Sequence, residues 1–314
     1  MKIIYILLAL ISNYATAQYN PCYYYNINKG AVFLYDEDKP EKALSFYEEA
    51  FRIQPNGTYP LFNGLMKCYA LQNNKDKFLL FFEKAVLKGS RWDRIEESLV
   101  GTQVLDSTDW KVLRQKYDSL HVQFDKGINW RWHEQVKVLK EKEQYIRSLE
   151  DNLCNMTQEQ MFCLEDNVDS INMVLLINFV KENGFPSHDE LGRDGYVSFK
   201  LLLTHGIHFK WVFDFFEPIL RAQMEKGNFF PTEYASLVDS YMLSIGKGQI
   251  YGENNINKEK KHSKIDDIKT VDTRRFSIGL VSLTDQIKAT WRKISQLPEG
   301  YVYSELEEKK LCKN

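Results

Sequence analysis

Arg274 and Arg275 stand side by side, two and three residues after Asp272, and Gln249-Ile250-Tyr251-Gly252 lies a little upstream. A guanidinium is a planar fork of donors that matches a carboxylate or phosphate, and beside Tyr251 it could line an anion site. Glycine at Gly252 lets a ligand or another backbone approach closely. His205, which ends the run LLLTHG, adds an imidazole able to serve as general acid or base. His205, Gln249, Tyr251, Gly252, Asp272, Arg274 and Arg275 are therefore the candidate ligand-binding surface. Each also has a purely structural reading. Asp272 favours a helix N-terminus while one arginine forks onto a buried carboxylate such as Asp239. His205 caps the carbonyls at a helix end, and the extended stretch is a β-hairpin that covers a helical core. Residue types and spacing leave both readings open.

Other chemistry fails on spacing. His205 and His208 are three apart, but no carboxylate is fixed beside them, so they fall short of the ligands a metal site needs. WHEQVK (Trp132 to Lys137) begins like a zinc-protease helix yet puts lysine where the second histidine belongs. There is no nucleophile elbow, no phosphate-binding glycine loop and no dinucleotide fingerprint. The sequence thus implies neither metal nor cofactor.

The elements that must position these residues read as helices. KALSFYEEAFRIQP places Ala43, Tyr47, Ala50 and Phe51 on one stripe, with Pro40 in the first turn and Pro55 as a stop. Thirty-five positions on, Phe78, Phe82 and Ala85 repeat the pattern of Ala43, Tyr47 and Ala50. Helical spacing continues from Asp93 to Phe124, with Trp110, Val112, Leu113 and Tyr117, and then in a charged helix from Trp130 to Asn152 whose stripe is Leu139, Ile146 and Leu149. INMVLLINFV, apolar on all sides, predicts a buried core helix ending at Gly184. Gly192 and Gly195 predict a turn, Pro218 a bend, and GQIYGENNINKEKKHSKIDDI two short extended pieces around a lysine-rich loop. VDTRRFSIGL and SLTDQIKATWRKI close the helical series.

Two resemblances follow. The period of the first hairpins, with small residues where helices cross, resembles the tetratricopeptide repeat. In the second half, GFPS, the glycines at Gly192 and Gly195, His205, GKGQIYG and VDTRRFSIGL stand in an order similar to an uncharacterised bacterial family, domain of unknown function 6624, over roughly Trp130 to Ile294. Glu253 and Asn254 occupy the places where that family's pattern has threonine and glutamine. The resemblance implies no substrate, cofactor or catalytic residue.

The opening MKIIYILLALISNYATAQ has one lysine, a short apolar run and Ala15-Thr16-Ala17, the layout of a secretory signal peptide rather than a membrane span of about 20 residues. Asn20-Pro21 before Cys22 is unlike a lipoprotein signal. The expected product is exported, periplasmic or extracellular, with no membrane span after cleavage. A net charge of −2 over 314 residues suggests neither nucleic acid nor an anionic surface as partner. Of the five cysteines, Cys154 and Cys163 are the pair closest in sequence for a disulfide, and Cys68 reads as a buried apolar residue. Two N-x-T sequons begin at Asn56 and Asn155.

The expected fold is all-α: a signal peptide over 1–17, repeat-like helical hairpins over 18–125, a helical domain with one short extended or hairpin element over 126–298, and a charged tail over 299–314. The expected function is an exported helical repeat protein of the cell envelope that binds a protein or peptide partner through its N-terminal repeats, or a ligand. The alternatives are an envelope enzyme using His205 with Arg274 or Arg275, and a purely structural domain.

Overall fold

The computed structural model describes residues 19–149, 157–254, 263–289 and 297–312. The expected signal peptide, the lysine-rich loop 255–262, Cys154 and the Asn155 sequon lie outside them. The protein is mostly helical, with fourteen α-helices and no sheet among the described residues.

Local signals start most of the first seven helices. Asn20 accepts the N–H of Cys22 to open α1 (Pro21–Ala31), which runs into a wider π turn at Val32–Asp36. Proline in the first turn opens both α2 (Pro40–Ile53) and α3 (Tyr59–Leu71), where its missing N–H costs nothing. Asn74 caps α4 (Lys75–Val86) and an Asp106/Asp109 capping box starts α6 (Ser107–Asp125), with the short α5 (Trp92–Leu99) between them. Asn129 caps α7 (Trp130–Ser148). Ala43, Tyr47, Ala50, Phe78, Phe82 and Ala85 are all buried in one apolar cluster that extends to Leu113 and Tyr117. Their burial joins α1 to α6 into one packed layer of sequential helices.

A second cluster gathers α7 to α11. α8 (Gln158–Asn183) and α9 (His188–Gly206) both begin with capping boxes, Thr157 with Gln160 and Ser187 with Glu190. α10 (Lys210–Glu225) contains Pro218 and α11 (Pro231–Ser244) starts on its proline. Val136, Met173, Leu176, Phe199, Leu203, Phe216 and Leu237 form its centre. The short helices α12 (Val271–Ser277), α13 (Leu283–Ala289) and α14 (Glu305–Leu311) follow.

The first and last described helices interlock. α1 packs back on the last helices: Tyr25 and Val32 share a small cluster with Phe276 and Val281, and Lys29 pairs with Asp285 and Glu308. A disulfide joins Cys22 to Cys312 across 290 positions. Tyr19 touches both large clusters, and Lys88 of the first layer pairs with Asp189 of the second at 2.8 Å.

Several expectations are corrected. The disulfide is Cys22 with Cys312, brought together by the packing of the first helix on the last, while Cys163 is free and exposed. Ile171, Val174 and Leu175 of the expected core helix are exposed, because only one face of α8 meets α7 and α9. The glycine turn at Gly192 is a kink inside one helix, φ 63° and ψ 171°, and Gly195 is helical. No hairpin forms among the described residues; instead Gln249 and Ile265 make one isolated parallel bridge. The segment read as a charged tail contains α14, docked on α1. Among the described residues no helix is long and apolar enough to cross a membrane.

Candidate functional site

Six of the seven candidate residues come together in a buried polar knot between α11 and α12. Asp239 of α11 is fully buried, its Oδ1 accepting the N–H groups of Ile250 (2.7 Å) and Tyr251 (3.0 Å) and its Oδ2 that of Glu253 (2.8 Å). Gly252 holds the loop's positive φ of 72°, which a side chain would strain. This is the backbone of the short polar stretch folded around one carboxylate. Burial pushes the Asp239 carboxyl above its ordinary value, while the three N–H donors and Arg275 oppose it.

The arginines close the knot from α12. Arg275, 1% exposed, donates from Nε to the Val281 carbonyl and from Nη1 to that of Tyr251, both 2.7 Å, and pairs with Glu253 at 3.1 Å. It forks onto carbonyls and Glu253, not onto Asp239 as the structural reading expected. Arg274 donates to the carbonyls of Ile250, Asp266 and Asp267 and to the Thr270 hydroxyl. Asp272, fully buried, accepts from the Leu283 N–H and the Tyr301 hydroxyl. Gln249 is also fully buried; its Oε1 accepts the Asn254 N–H and its Nε2 has no partner among the described residues. Tyr251 packs edge-on to Tyr234. Burial raises its hydroxyl above the usual range.

Glu253 and Asn254 each have an internal job here. Glu253 accepts from Gln286 as well as Arg275, and Asn254 donates to the Ser236 carbonyl and the Ser240 hydroxyl. Every motif residue of this knot hydrogen-bonds or packs within the chain.

His205 sits in a different cluster. Its Nδ1 donates to Glu143 at 2.5 Å, and Glu143 is buried on α7. Arg147, one turn along α7, bridges Glu143 (2.9 Å) and Asp169 of α8 (2.8 Å). Burial acts most strongly on Glu143 and raises its carboxyl, but His205, Gln144 and Arg147 together outweigh it and hold it below its ordinary value. Asp169 goes the other way, raised by burial that Arg147 only partly offsets. One ligand atom each from Glu143, Asp169 and His205 lie within 4.8 Å of one another, a spacing that suits a metal ion. The Arg147 guanidinium already supplies the positive charge between the two carboxylates, so a cation would have to displace it. His133, of the motif like a zinc helix, donates to the Leu191 carbonyl and is structural.

A third feature is open to solvent. A cleft of about 590 Å³ runs along the seam where the first helical layer meets α9. Tyr35, Tyr59, Asn63, Lys67, Ser98 and Val100 line it from the first layer, and Arg193 from the second. Tyr59 stacks on His188, which fixes one wall.

No family model, curated protein or solved structure matches the chain.

Sequence reasoning missed Glu143, Arg147 and Asp169, although Glu143 and Arg147 at a spacing of four on one helix face were a readable pair. Lys67 and Arg193 left no local signal. They lie far apart in the chain, and only the packing of the two layers brings them to one cleft.

Proposed function

We propose that this chain is an exported binding protein that holds a polypeptide segment in the cleft between its repeat-like N-terminal hairpins and its second helical unit. The cleft carries the reading. It has the size of an ordinary ligand site, it is bounded by both units, and its walls mix aromatic rings with hydrogen-bonding side chains, as peptide grooves do. The succession of α2, α3 and α4, with small residues at the crossings, supports the tetratricopeptide-like reading of the first unit. Export is supported by the signal-like opening and by the Cys22–Cys312 disulfide, since such bonds persist in oxidising compartments. The motifs shared in order with the uncharacterised family fit a folding role, because their side chains are engaged internally.

The enzyme reading has one observation behind it, the buried Glu143 that orients His205 through Nδ1. Arg274 and Arg275 have other partners, so that reading would have to run through Glu143 instead.

The test is photo-crosslinking of the full chain to a pool of random labelled peptides. A photoreactive phenylalanine at Val100, on the cleft, is expected to capture peptide, and the same residue at Val112, exposed on α6, is not. Ser98→Trp, which fills the cleft without changing charge, is expected to abolish capture. Equal labelling at both positions, indifferent to Ser98→Trp, would sink the proposal.

A further inference from the structure

The charges around the cleft do not balance. Arg91 forms a two-pronged pair with Asp93, and Arg94 pairs with Glu97 at 2.7 Å, so these four neutralise one another locally. Lys67 and Arg193 remain. Lys67 is half-buried on α3 and, among the described residues, donates only to the Val100 carbonyl, an uncharged acceptor, at 3.0 Å. Arg193 is half-buried on α9 and makes no hydrogen bond or ion pair among the described residues. Glu97 and Asp93 act on Lys67 and Arg193 through their charge, but among the described residues neither carboxylate is in contact with them, and each is engaged by Arg94 or Arg91. Two cations partly removed from water without a direct acid partner are costly unless something else pairs with them.

Arg193 is also held in place. It follows Gly192, whose positive φ of 63° breaks the helical path, and a side chain at Gly192 would come within 2.7 Å of Ile128. The kink thus seats α9 against the start of α7 and fixes where the second stretch of helix begins. Arg193 still acts on its neighbours: its charge partly offsets the burial that raises the Tyr59 hydroxyl.

We infer that the cleft selects an acidic peptide segment, with Lys67 and Arg193 pairing two of its carboxylates between Tyr35 and Tyr59. This rests on the cleft being the partner site. A free inorganic anion fits less well, because about 590 Å³ far exceeds one phosphate and the Tyr35, Tyr59 and Val100 walls would stay wet. Asn63 and Ser98 offer hydrogen bonds to a peptide backbone.

The experiment measures binding of fluorescein-labelled hexaglutamate and hexalysine to the full chain by anisotropy. Hexaglutamate is expected to bind saturably, hexalysine not, and affinity is expected to fall steeply with added salt. Arg193→Gln and Lys67→Gln are each expected to weaken hexaglutamate about ten-fold, the loss of one charge-assisted hydrogen bond. Arg193→Lys is expected to restore part of it, and unchanged thermal melts show that each variant is folded. Inorganic phosphate that competes at equal concentration would reassign the site to a small anion and overturn the peptide inference. If Ser98→Trp abolishes binding while both glutamine variants bind normally, the cleft reading stands and the charge inference falls. If Ser98→Trp and both glutamine variants all leave binding untouched, both fall.

Discussion

Asp239 shows how a single side chain can set a loop. Ile250, Tyr251 and Glu253 have no helix or sheet to take their N–H groups, and one buried carboxylate accepts all three. Two of the three share Oδ1, so the variants separate cleanly. Asp239→Ala strips every acceptor and is expected to cost on the order of 3 kcal/mol or more, since each buried unpaired donor costs about 1–3 kcal/mol. Asp239→Asn keeps one carbonyl oxygen and is expected to cost less. Urea midpoints at an unchanged slope would measure both; an alanine variant as stable as the parent would mean that this carboxylate does not hold the loop. The sequence pointed to Asp239 as a partner for an arginine, but its partners are backbone amides, which no residue type announces. Arg275 was legible as a motif residue, and its commitment to the carbonyls of Val281 and Tyr251 was not.

At the scale of elements, close crossings of helices decide the first layer. Gly64 on α3 lies under the ring of Tyr47 on α2, and a methyl group there would meet ring atoms at 2.3–2.6 Å. Tyr47 is buried among α1 to α4 and has no room to retreat. Gly64→Ala is therefore expected to destabilise by about 1–3 kcal/mol, the usual cost of overpacking a filled core. Gly206→Ala makes a comparable clash, 2.2 Å from Met173 Cγ, but methionine has three rotatable bonds and is expected to yield at smaller cost. Thermal melts of the two variants test the order; a Gly64→Ala protein no less stable than the Gly206→Ala protein would contradict it. Helix ends were readable, because prolines and capping residues act within one turn. The buried faces were less so: α7 buries His133, Val136 and Glu143 where the pattern offered Leu139 and Ile146, since α8 and α9 present it with a backbone carbonyl, Asp169 and His205 as well as apolar side chains.

For the whole molecule, the Cys22–Cys312 bond closes nearly the entire described chain into one loop, and Tyr25 and Lys29 of α1 join Glu308 and Asp285 of the last helices. Cross-linking so long a loop restricts the unfolded chain, and its loss by Cys312→Ser is expected to cost about 2–4 kcal/mol. Reductant is expected to move the parent's urea midpoint to that of the variant. A parent indifferent to reductant would show that the bond contributes nothing. The all-α class, the starts of α2 and α11 at their prolines and the apolar stripes of α2 and α4 were determined by the sequence itself, because helical period and prolines are local physics. Tertiary structure alone decided the disulfide, the knot around Asp239, the pairing of His205 with Glu143 and the cleft between Lys67 and Arg193. Each of these joins residues from separate helices, and their meeting depends on how whole faces pack, which no short window of sequence contains.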